Sequence, residues 1–314
     1  MVRADGSATV VDIAGLGLRI PVSPAVTGRR GRSGRPAFVH AATDVDLRQH
    51  AGRVHALVGE SGCGKSVLAS TLVGLLPAGT QVAGTVRIDD VDVTGALGDP
   101  RDRTWDRLRG RVVGLVAQSS ATFLTPTRTV GAQLAETVAA LRGPQAPEAL
   151  LARVGLDASA LRAYPHELSG GMAGRAALAF ALAGNPQVIV ADEPTASLDP
   201  ELTALVLCLL REVADAGAAV LLITHDLASL RATEVADDVS VMYAGQILEH
   251  GPAARVLTSP AHAYTGALLD ALPERGLRPL RGMPPSLVDL DPAAALAGLA
   301  ERLGLPTDLP GGAA

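Results

Sequence analysis

Eight consecutive residues have the pattern of a loop that binds phosphate. They are Gly59, Glu60, Ser61, Gly62, Cys63, Gly64, Lys65 and Ser66. Their spacing fits G-x-x-x-x-G-K-[ST], in which backbone N–H groups surround phosphate oxygens and the following helix points its positive end at them. The lysine ammonium is expected to reach between two phosphates, and the Ser66 hydroxyl to hold Mg²⁺. The pattern therefore predicts binding of a nucleoside triphosphate.

The use of lysine points to the same loop. Among the 27 lysine and arginine residues of the chain, Lys65 is the only lysine. A compact, flexible ammonium fits between two phosphates, whereas a planar guanidinium is larger and differently shaped. The alternative interpretation is a glycine-rich turn before a helix, with no ligand.

The composition limits the classes of protein that fit. With 314 residues, 48% of them hydrophobic and 2% aromatic, the chain can bury a large core of Ala, Val and Leu. A net charge of −5 argues against broad nucleic-acid binding, which usually needs a basic face. Cys63 and Cys208 are too few for a disulfide framework and fit a reducing compartment. Apolar runs fall short of the roughly 18–20 residues of a membrane span, so a membrane role must come through a partner.

Apolar runs that alternate with helical patterns predict the elements that position the loop. The run 53–58 leads directly into the loop, and 65–76 is expected to form the following helix, ended by Pro77. Other strands are predicted at 8–22, 38–47, 112–117, 188–191 and 219–223, with a hairpin formed by 239–243 and 246–249. This alternation indicates an α/β fold with a mostly parallel sheet that helices cover on both faces.

A helical insertion is expected within this α/β core. Residues 129–180 have a helical pattern, broken at Gly143-Pro144 and Tyr164-Pro165. Ser169 is expected to cap the last of these helices, and Asp199-Pro200 has the sequence of another helix start.

Two segments differ from this α/β pattern: a polar, glycine-rich stretch near the N-terminus and the C-terminal region, in which 279–292 has no core pattern. The basic stretch 28–35 is interpreted as a solvated loop, with a phosphate or lipid contact as the alternative. Residues 251–314 are rich in proline and are expected to form a C-terminal extension with helices at 261–272 and 292–304 and a loose tail.

Four residues with suitable chemistry follow predicted strands. Asp192 and Glu193 come after the strand 188–191, whereas Gln118 and His225 each follow a strand of their own. Ligands bind at the carboxyl ends of strands in open α/β sheets, so we expect the four to lie near the loop. Asp192 is the expected carboxylate near Mg²⁺, and Glu193 the general base for water. Gln118 and His225 could reach the metal, the water or the γ-phosphate.

Together these residues resemble the nucleotide-binding subunits of ABC transporters, over roughly residues 38–272. The motifs are GESGCGKS at 59–66 (Walker A), Gln118 (Q-loop), LSGGM at 168–172 (signature), VIVADEP at 188–194 (Walker B), SLD at 197–199 (D-loop) and THD at 224–226 with the switch histidine. The resemblance implies a P-loop NTPase (ABC ATPase) core in an ATPase domain at 1–250. It also implies a helical signature subdomain inserted at about 119–185 and a small irregular C-terminal extension of the peptide-importer type at 251–314.

The resemblance further implies an ATP- and Mg²⁺-dependent hydrolase that works as a dimer. Two subunits pack head to tail in that family, so Ser169, Gly170 and Gly171 are expected to contact the γ-phosphate held by the other subunit. Asp199 of the D-loop is expected at the same nucleotide. Catalysis is expected from Glu193, His225 and Gln118, and metal binding from Ser66, Gln118 and Asp192.

Several segments narrow the resemblance to the dipeptide/oligopeptide/nickel importer group. They are YPHELSGGM at 164–172, VMYAGQILEHGP at 241–252 and SPAHAYTGALLDALP at 259–273. The implied partners are a second ABC ATPase subunit, two membrane permease subunits and an extracytoplasmic solute-binding protein, without nucleic acid. The chain would couple dimer closure to uptake of peptides or a related small solute at the cytoplasmic face of the membrane. The alternatives are nickel or metal-chelate uptake and a soluble ABC ATPase outside transport.

The chain also departs from the family pattern. Ala173-Gly174-Arg175 stands where Arg-Gln-Arg is common, and Ala117 stands where an aromatic residue usually precedes the glutamine. The aromatic residue that stacks on adenine is not evident: Ile20 lies where it is expected, and Phe38 is a weak alternative. Because no cysteine follows Cys208, we expect no iron–sulfur cluster in the extension.

Overall fold

Ten strands and ten α-helices form the part of the chain that the structure, a computed structural model, describes: residues 8–22, 37–118, 123–196 and 198–304. The strands are β1 (Thr9–Pro21), β2 (Phe38–His50), β3 (Val54–Val58), β4 (Gln81–Ile88), β5 (Val91–Asp92), β6 (Val113–Val116), β7 (Val188–Asp192), β8 (Ala219–Thr224), β9 (Asp238–Tyr243) and β10 (Gln246–Pro252). The helices are α1 (Lys65–Leu72), α2 (Thr104–Leu108), α3 (Val130–Leu141), α4 (Pro147–Arg153), α5 (Gly170–Leu182), α6 (Pro200–Asp215), α7 (Leu227–Thr233), α8 (Ala253–Val256), α9 (Ala263–Asp270) and α10 (Pro292–Leu303).

A six-stranded sheet positions the phosphate-binding loop. Its order is β10-β9-β3-β8-β7-β6, and all neighbours are parallel except the β9–β10 hairpin at one edge. Parallel strands end at the same edge of a sheet, so the residues that follow β3, β6, β7 and β8 are brought together there. This arrangement confirms the predicted α/β fold with a mostly parallel sheet.

The central strands of this sheet are buried on both faces, as their continuous apolar sequences predict. Successive side chains of a strand point to opposite faces. In β8, Val220 and Leu222 therefore pack with helices α5 and α6, whereas Leu221 and Ile223 pack with helix α1 and the other sheet. The sheet thus separates two apolar cores.

The second sheet is antiparallel, with the order β2-β1-β4-β5. The sequence analysis predicted β1 and β2 but missed β4 and β5. In Gln81–Ile88 only Val86 and Ile88 are buried, so the strand carries little of the hydrophobic alternation by which strands are recognised.

Two predicted helix starts are confirmed, whereas one predicted helix end is wrong. Ser169 and Asp199 cap α5 and α6 as expected, with side chains that accept hydrogen bonds from the backbone N–H of Met172 and Leu202. The helix after the loop was predicted to continue to Leu76, but α1 ends at Leu72. The chain leaves the helical path there because Gly74 adopts φ +63°. The prediction that Pro77 ends this helix was wrong.

The C-terminal extension returns to the core. Helices α9 and α10 confirm the two helices predicted there. Residues 279–292 were not expected to have a core pattern, yet the His40 N–H donates to the Leu287 carbonyl at 2.8 Å. The Asp289 N–H likewise donates to the Phe38 carbonyl at 2.7 Å. The extension therefore pairs with strand β2, far away in the sequence.

Some predictions fall on residues outside the described part of the chain. These are the basic stretch 28–35, the start of the predicted helical subdomain at 119–122, Ser197 of the D-loop and the tail from residue 305. Within the described part, no helix has the length and hydrophobicity needed to cross a membrane.

Candidate functional site

The phosphate-binding loop connects strand β3 to helix α1 at the carboxyl edge of the sheet. Its first glycine, Gly59, has φ +151°. A Cβ atom at that position would lie 2.1 Å from the Met242 carbonyl oxygen, so the close approach of strand β9 requires glycine. The loop is also tied to the β9–β10 turn, where the Gly245 N–H donates to the Cys63 carbonyl at 2.9 Å. The neighbouring strand therefore supports the loop.

Lys65 is buried within the loop, with 6% of its surface exposed. Its Nζ donates hydrogen bonds to the carbonyl oxygens of Gly59 at 2.8 Å and Glu60 at 3.0 Å. These contacts hold the ammonium at the centre of the loop, next to the backbone that the pattern predicts will surround phosphates.

Asp192, at the end of β7, carries an unsatisfied oxygen. The residue is 7% exposed, and its Oδ1 has no hydrogen-bond partner among the described residues. Burial raises the pKa of Asp192, and the Glu193 carboxylate raises it further. A hydrogen bond from Ser66 and the charge of Lys65 oppose the rise. A buried carboxylate oxygen without a partner is costly, and next to a serine hydroxyl it fits a hard cation that prefers oxygen ligands.

Glu193 and His225 form a direct pair. His225 Nδ1 lies 2.8 Å from Glu193 Oε1, with the carboxylate buried and the imidazole exposed. Strands β7 and β8 are neighbours, which explains how residues 32 positions apart meet. The sequence analysis predicted both residues at the site but not their contact.

The backbone at Glu193 is strained. Its φ of +50° is uncommon for a residue with a side chain. A hydrogen bond from the Glu193 N–H to the Ile223 carbonyl, 2.9 Å long, holds this conformation by joining it to strand β8. Such strain persists only when the surroundings impose it, and it often marks a functional site.

Gln118 lies beyond the end of β6 and is exposed. Strand β6 pairs with β7, so Gln118 lies at the same edge of the sheet as Asp192 and Glu193. Its side chain forms no hydrogen bond with another described residue. The structure thus brings Gln118 to the correct edge without joining it to the Glu193–His225 pair.

The residues at 169–171 form a separate surface at the start of helix α5, where Ser169 and Gly170 are exposed and Gly171 is buried. Ser169 Oγ accepts a hydrogen bond from the Met172 N–H at 3.3 Å, and a Cβ atom at Gly170 would meet nothing within 4 Å. Gly171 packs against helix α6, where a Cβ atom would lie 2.5 Å from Leu202 Cδ1. Asp199 caps α6 with a 2.9 Å hydrogen bond from the same Leu202, so these two segments are held together.

The expected adenine-stacking residue is not identified. Ile20 pairs with Val39 across the β1–β2 ladder. The ring of Phe38 is covered by the Arg19 guanidinium, whose carbon lies 4.9 Å from the ring centroid. That contact favours a structural role for Phe38.

Comparisons with known proteins identify the family of this chain. The family profile described as "ABC transporter" matches residues 42–196. A protein of Brucella ovis named as a peptide import ATP-binding protein is 38% identical over 289 residues, which cover 84% of each chain. The oligopeptide transport ATP-binding protein OppD of Lactococcus lactis subsp. cremoris is 38% identical over 271 residues, covering 81% of this chain and 78% of that protein. The chain belongs to the ABC transporter ATP-binding family.

Solved structures of ABC ATPases share the fold. The dimeric ATP-binding cassette MJ0796, bound to ADP and Pi, superposes with a TM-score of 0.63 at 23% identity over 77% of this chain and 98% of that one. The protein cbiO1 of Clostridium perfringens, part of the cbiONQ transporter complex, gives 0.61 at 22% identity over 80% and 91%. ATP hydrolysis is the activity that this family implies.

The predicted site residues of this ABC ATPase lie on two separate surfaces. The phosphate-binding loop, Asp192, Glu193 and His225 lie at the carboxyl edge of the six-stranded sheet. The residues at 169–171 lie at the N-terminus of helix α5, and the hydrogen bonds of Ser169 stay within that helix. In the described part of the chain, no hydrogen bond joins the two surfaces.

Sequence reasoning missed two side chains at the loop. The Tyr264 hydroxyl and the Arg302 guanidinium both contact the Glu60 carboxylate. Both residues lie more than 200 positions away from Glu60, in a segment whose composition predicted only a peripheral extension, so no local pattern could have found them.

Proposed function

We propose that this chain is the ATPase subunit of an ABC importer that takes up peptides or a related small solute. The hydrolytic role rests chiefly on the 2.8 Å contact between Glu193 and His225 beside the phosphate-binding loop. The transport role is supported by relatives named for peptide import and oligopeptide transport.

The loop binds ATP through backbone N–H groups and Lys65, with the positive end of helix α1 directed at the phosphates. Ser66, Asp192 and Gln118 would hold Mg²⁺, and the unpartnered Oδ1 of Asp192 supports this assignment. When bound there, Mg²⁺ neutralises charge on the β- and γ-phosphate oxygens.

Hydrolysis uses the pair at the ends of β7 and β8. A water oxygen forms a bond to the γ-phosphorus while the bond to the β–γ bridging oxygen breaks, and Glu193 accepts the proton of that water. His225 orients the carboxylate through its 2.8 Å contact, and its exposed ring can donate to the γ-phosphate. The fixed backbone of Glu193 keeps the base in place.

A complete site needs a second subunit. Ser169, Gly170 and Gly171 close on the γ-phosphate of the partner from a helix N-terminus, which favours an anion. Asp199 lies beside them, at the start of α6. The exposure of Ser169, Gly170 and Asp199 at the protein surface supports this role.

Transport further requires membrane partners. Two permease subunits dock on the helical insertion near Gln118, and an extracytoplasmic binding protein delivers the solute. The chain is then a peripheral protein at the cytoplasmic face of the membrane. Uptake of nickel or a metal chelate is the second candidate for this machine.

The proposal is tested by uptake assays in a strain that lacks the gene for this chain. Wild-type protein should restore ATP-dependent uptake of a radiolabelled oligopeptide, and Lys65→Ala should not. Restoration of ⁶³Ni²⁺ uptake without peptide uptake would favour the nickel alternative. No effect on either solute, with normal ATPase activity of the pure protein, would favour an ABC ATPase outside these transporters.

A further inference from the structure

The C-terminal extension contacts the phosphate-binding loop at Glu60. Arg302 of helix α10 forms two parallel hydrogen bonds to the carboxylate, from Nη1 to Oε2 and from Nη2 to Oε1, each 2.8 Å long. The Tyr264 hydroxyl of helix α9 donates to Oε2 at 3.2 Å and accepts from the Glu60 N–H at 3.3 Å. The side chain and the backbone of one loop residue are therefore both held by the extension.

These contacts are largely shielded from water. The side chains of Arg302 and Glu60 are 10% and 20% exposed, and Tyr264 is fully buried. Arg302 Nε donates to the Arg281 carbonyl at 2.9 Å, and its guanidinium lies 5.8 Å from the Tyr243 ring centroid. An exposed ion pair contributes little to stability because solvent screens it. The Arg302–Glu60 pair is shielded and has two parallel hydrogen bonds, so it should hold Glu60 more firmly than an exposed pair would.

The position of Glu60 makes this pair relevant to ATP. The Glu60 carbonyl accepts one of the hydrogen bonds that hold Lys65 Nζ, at 3.0 Å. An unpaired carboxylate in a loop that must surround a polyphosphate would also repel the nucleotide. Arg302 thus has two effects: it fixes the backbone beside Lys65 and it neutralises a negative charge in the anion site.

We propose that Arg302 is a positioning residue for ATP, which acts through Glu60 and makes the C-terminal extension a functional part of the nucleotide site. The inference rests on the proposed binding of ATP at residues 59–66. It adds a determinant of ATP affinity that lies outside the phosphate-binding, Q-loop, Walker B and switch motifs.

Docking of the extension does not depend on Arg302 alone. Strand β2 pairs with residues 287–289, and the Phe38 N–H donates to Asp289 Oδ1 at 3.0 Å. Arg231 of helix α7 binds Glu274 at 3.2 Å. Loss of the Arg302 side chain should therefore alter the loop while the extension stays attached.

The test is ATP binding by the full chain and its variants. Displacement of a fluorescent ATP analogue gives Kd, and phosphate release gives KM and kcat. We expect Arg302→Ala to raise the Kd for ATP about tenfold, the equivalent of about 1.4 kcal/mol. We expect kcat to change less than about twofold, because Glu193 and His225 are untouched. The Kd of Arg302→Lys should lie between those of the wild type and Arg302→Ala, since lysine keeps the charge but not the two-point geometry.

A double variant separates the charge effect from a general structural effect. Glu60→Gln combined with Arg302→Ala removes the unpaired carboxylate, so it should bind ATP more tightly than Arg302→Ala alone. Arg278→Ala is the matched control, because Arg278 is an exposed arginine of the same extension whose side chain forms no hydrogen bond or ion pair with another described residue. It should bind ATP like the wild type.

An equal Kd for Arg302→Ala and Arg278→Ala would overturn the inference, as would a double variant no tighter than Arg302→Ala. If Arg302→Ala does not fold, Arg302→Lys provides the test instead. A Kd for ATP equal to that of the wild type in Arg302→Lys would then overturn the inference. Failure of the wild-type chain to bind ATP would overturn the proposed function together with this inference.

Discussion

Replacement of Glu193 by glutamine tests the proposed base most directly. Glutamine has nearly the same shape, and its amide oxygen can still accept the hydrogen bond at the position where His225 Nδ1 lies 2.8 Å away. The backbone bond to Ile223 and the φ of +50° are independent of the side-chain charge. The substitution therefore removes the basic oxygen and leaves the surrounding structure in place.

The expected loss follows from the role of a general base. Such a group typically accelerates a reaction by about 10²- to 10⁴-fold, or roughly 3–5 kcal/mol of transition-state stabilisation. We expect kcat to fall by that factor, with ATP affinity retained because Lys65 and its loop are unchanged. ATP should then remain bound in a closed dimer. Phosphate release at saturating ATP measures kcat, and light scattering with ATP measures the dimer.

Glu212→Gln provides the control, since Glu212 is an exposed carboxylate on helix α6, away from the site. It should hydrolyse ATP at the wild-type rate. If Glu193→Gln retained more than a tenth of wild-type kcat, another group would have to accept the proton, and the argument from the Glu193–His225 contact would be refuted.

Three further predictions concern other parts of the chain. Lys65→Ala should lose most of its ATP affinity, because the buried ammonium would no longer reach the phosphates; unchanged Kd in the displacement assay would contradict the loop assignment. Ser169→Arg should block hydrolysis but not ATP binding to the monomer, and in mixed dimers it should inactivate the nucleotide held by the partner; loss at its own nucleotide would exclude closure in trans. Burial lowers the pKa of His55 to about 4, helped by repulsion from His250. Between pH 6.5 and 4, His55 is therefore protonated in the unfolded chain but neutral in the folded one. The free energy of unfolding should decrease as the pH is lowered through this range, by up to about 3 kcal/mol for this residue. His55→Gln should flatten that dependence in urea titrations, and an unchanged slope would refute it.

Local signals in the sequence determined much of the site. These signals depend on residues within a few positions of one another. They are the glycines and Lys65 of the phosphate-binding loop, the caps Ser169 and Asp199, and the apolar strands that end at Asp192 and just before His225. Turn formation, helix capping and burial of a strand on both faces are set by such short-range patterns. The sequence could therefore predict which residues meet at the edge of a parallel sheet.

The tertiary structure alone decided how those residues are joined. The Glu193–His225 contact depends on β7 lying next to β8, and the unpaired oxygen of Asp192 depends on the packing around it. The Glu60–Arg302 pair joins residues 242 positions apart, across an extension that gave no core pattern. Local propensity contains no information about which distant segments pack together, because that choice is made by the free energy of the whole core. For this reason the sequence predicted a phosphate-binding loop, whereas only the fold could show what holds the loop in place.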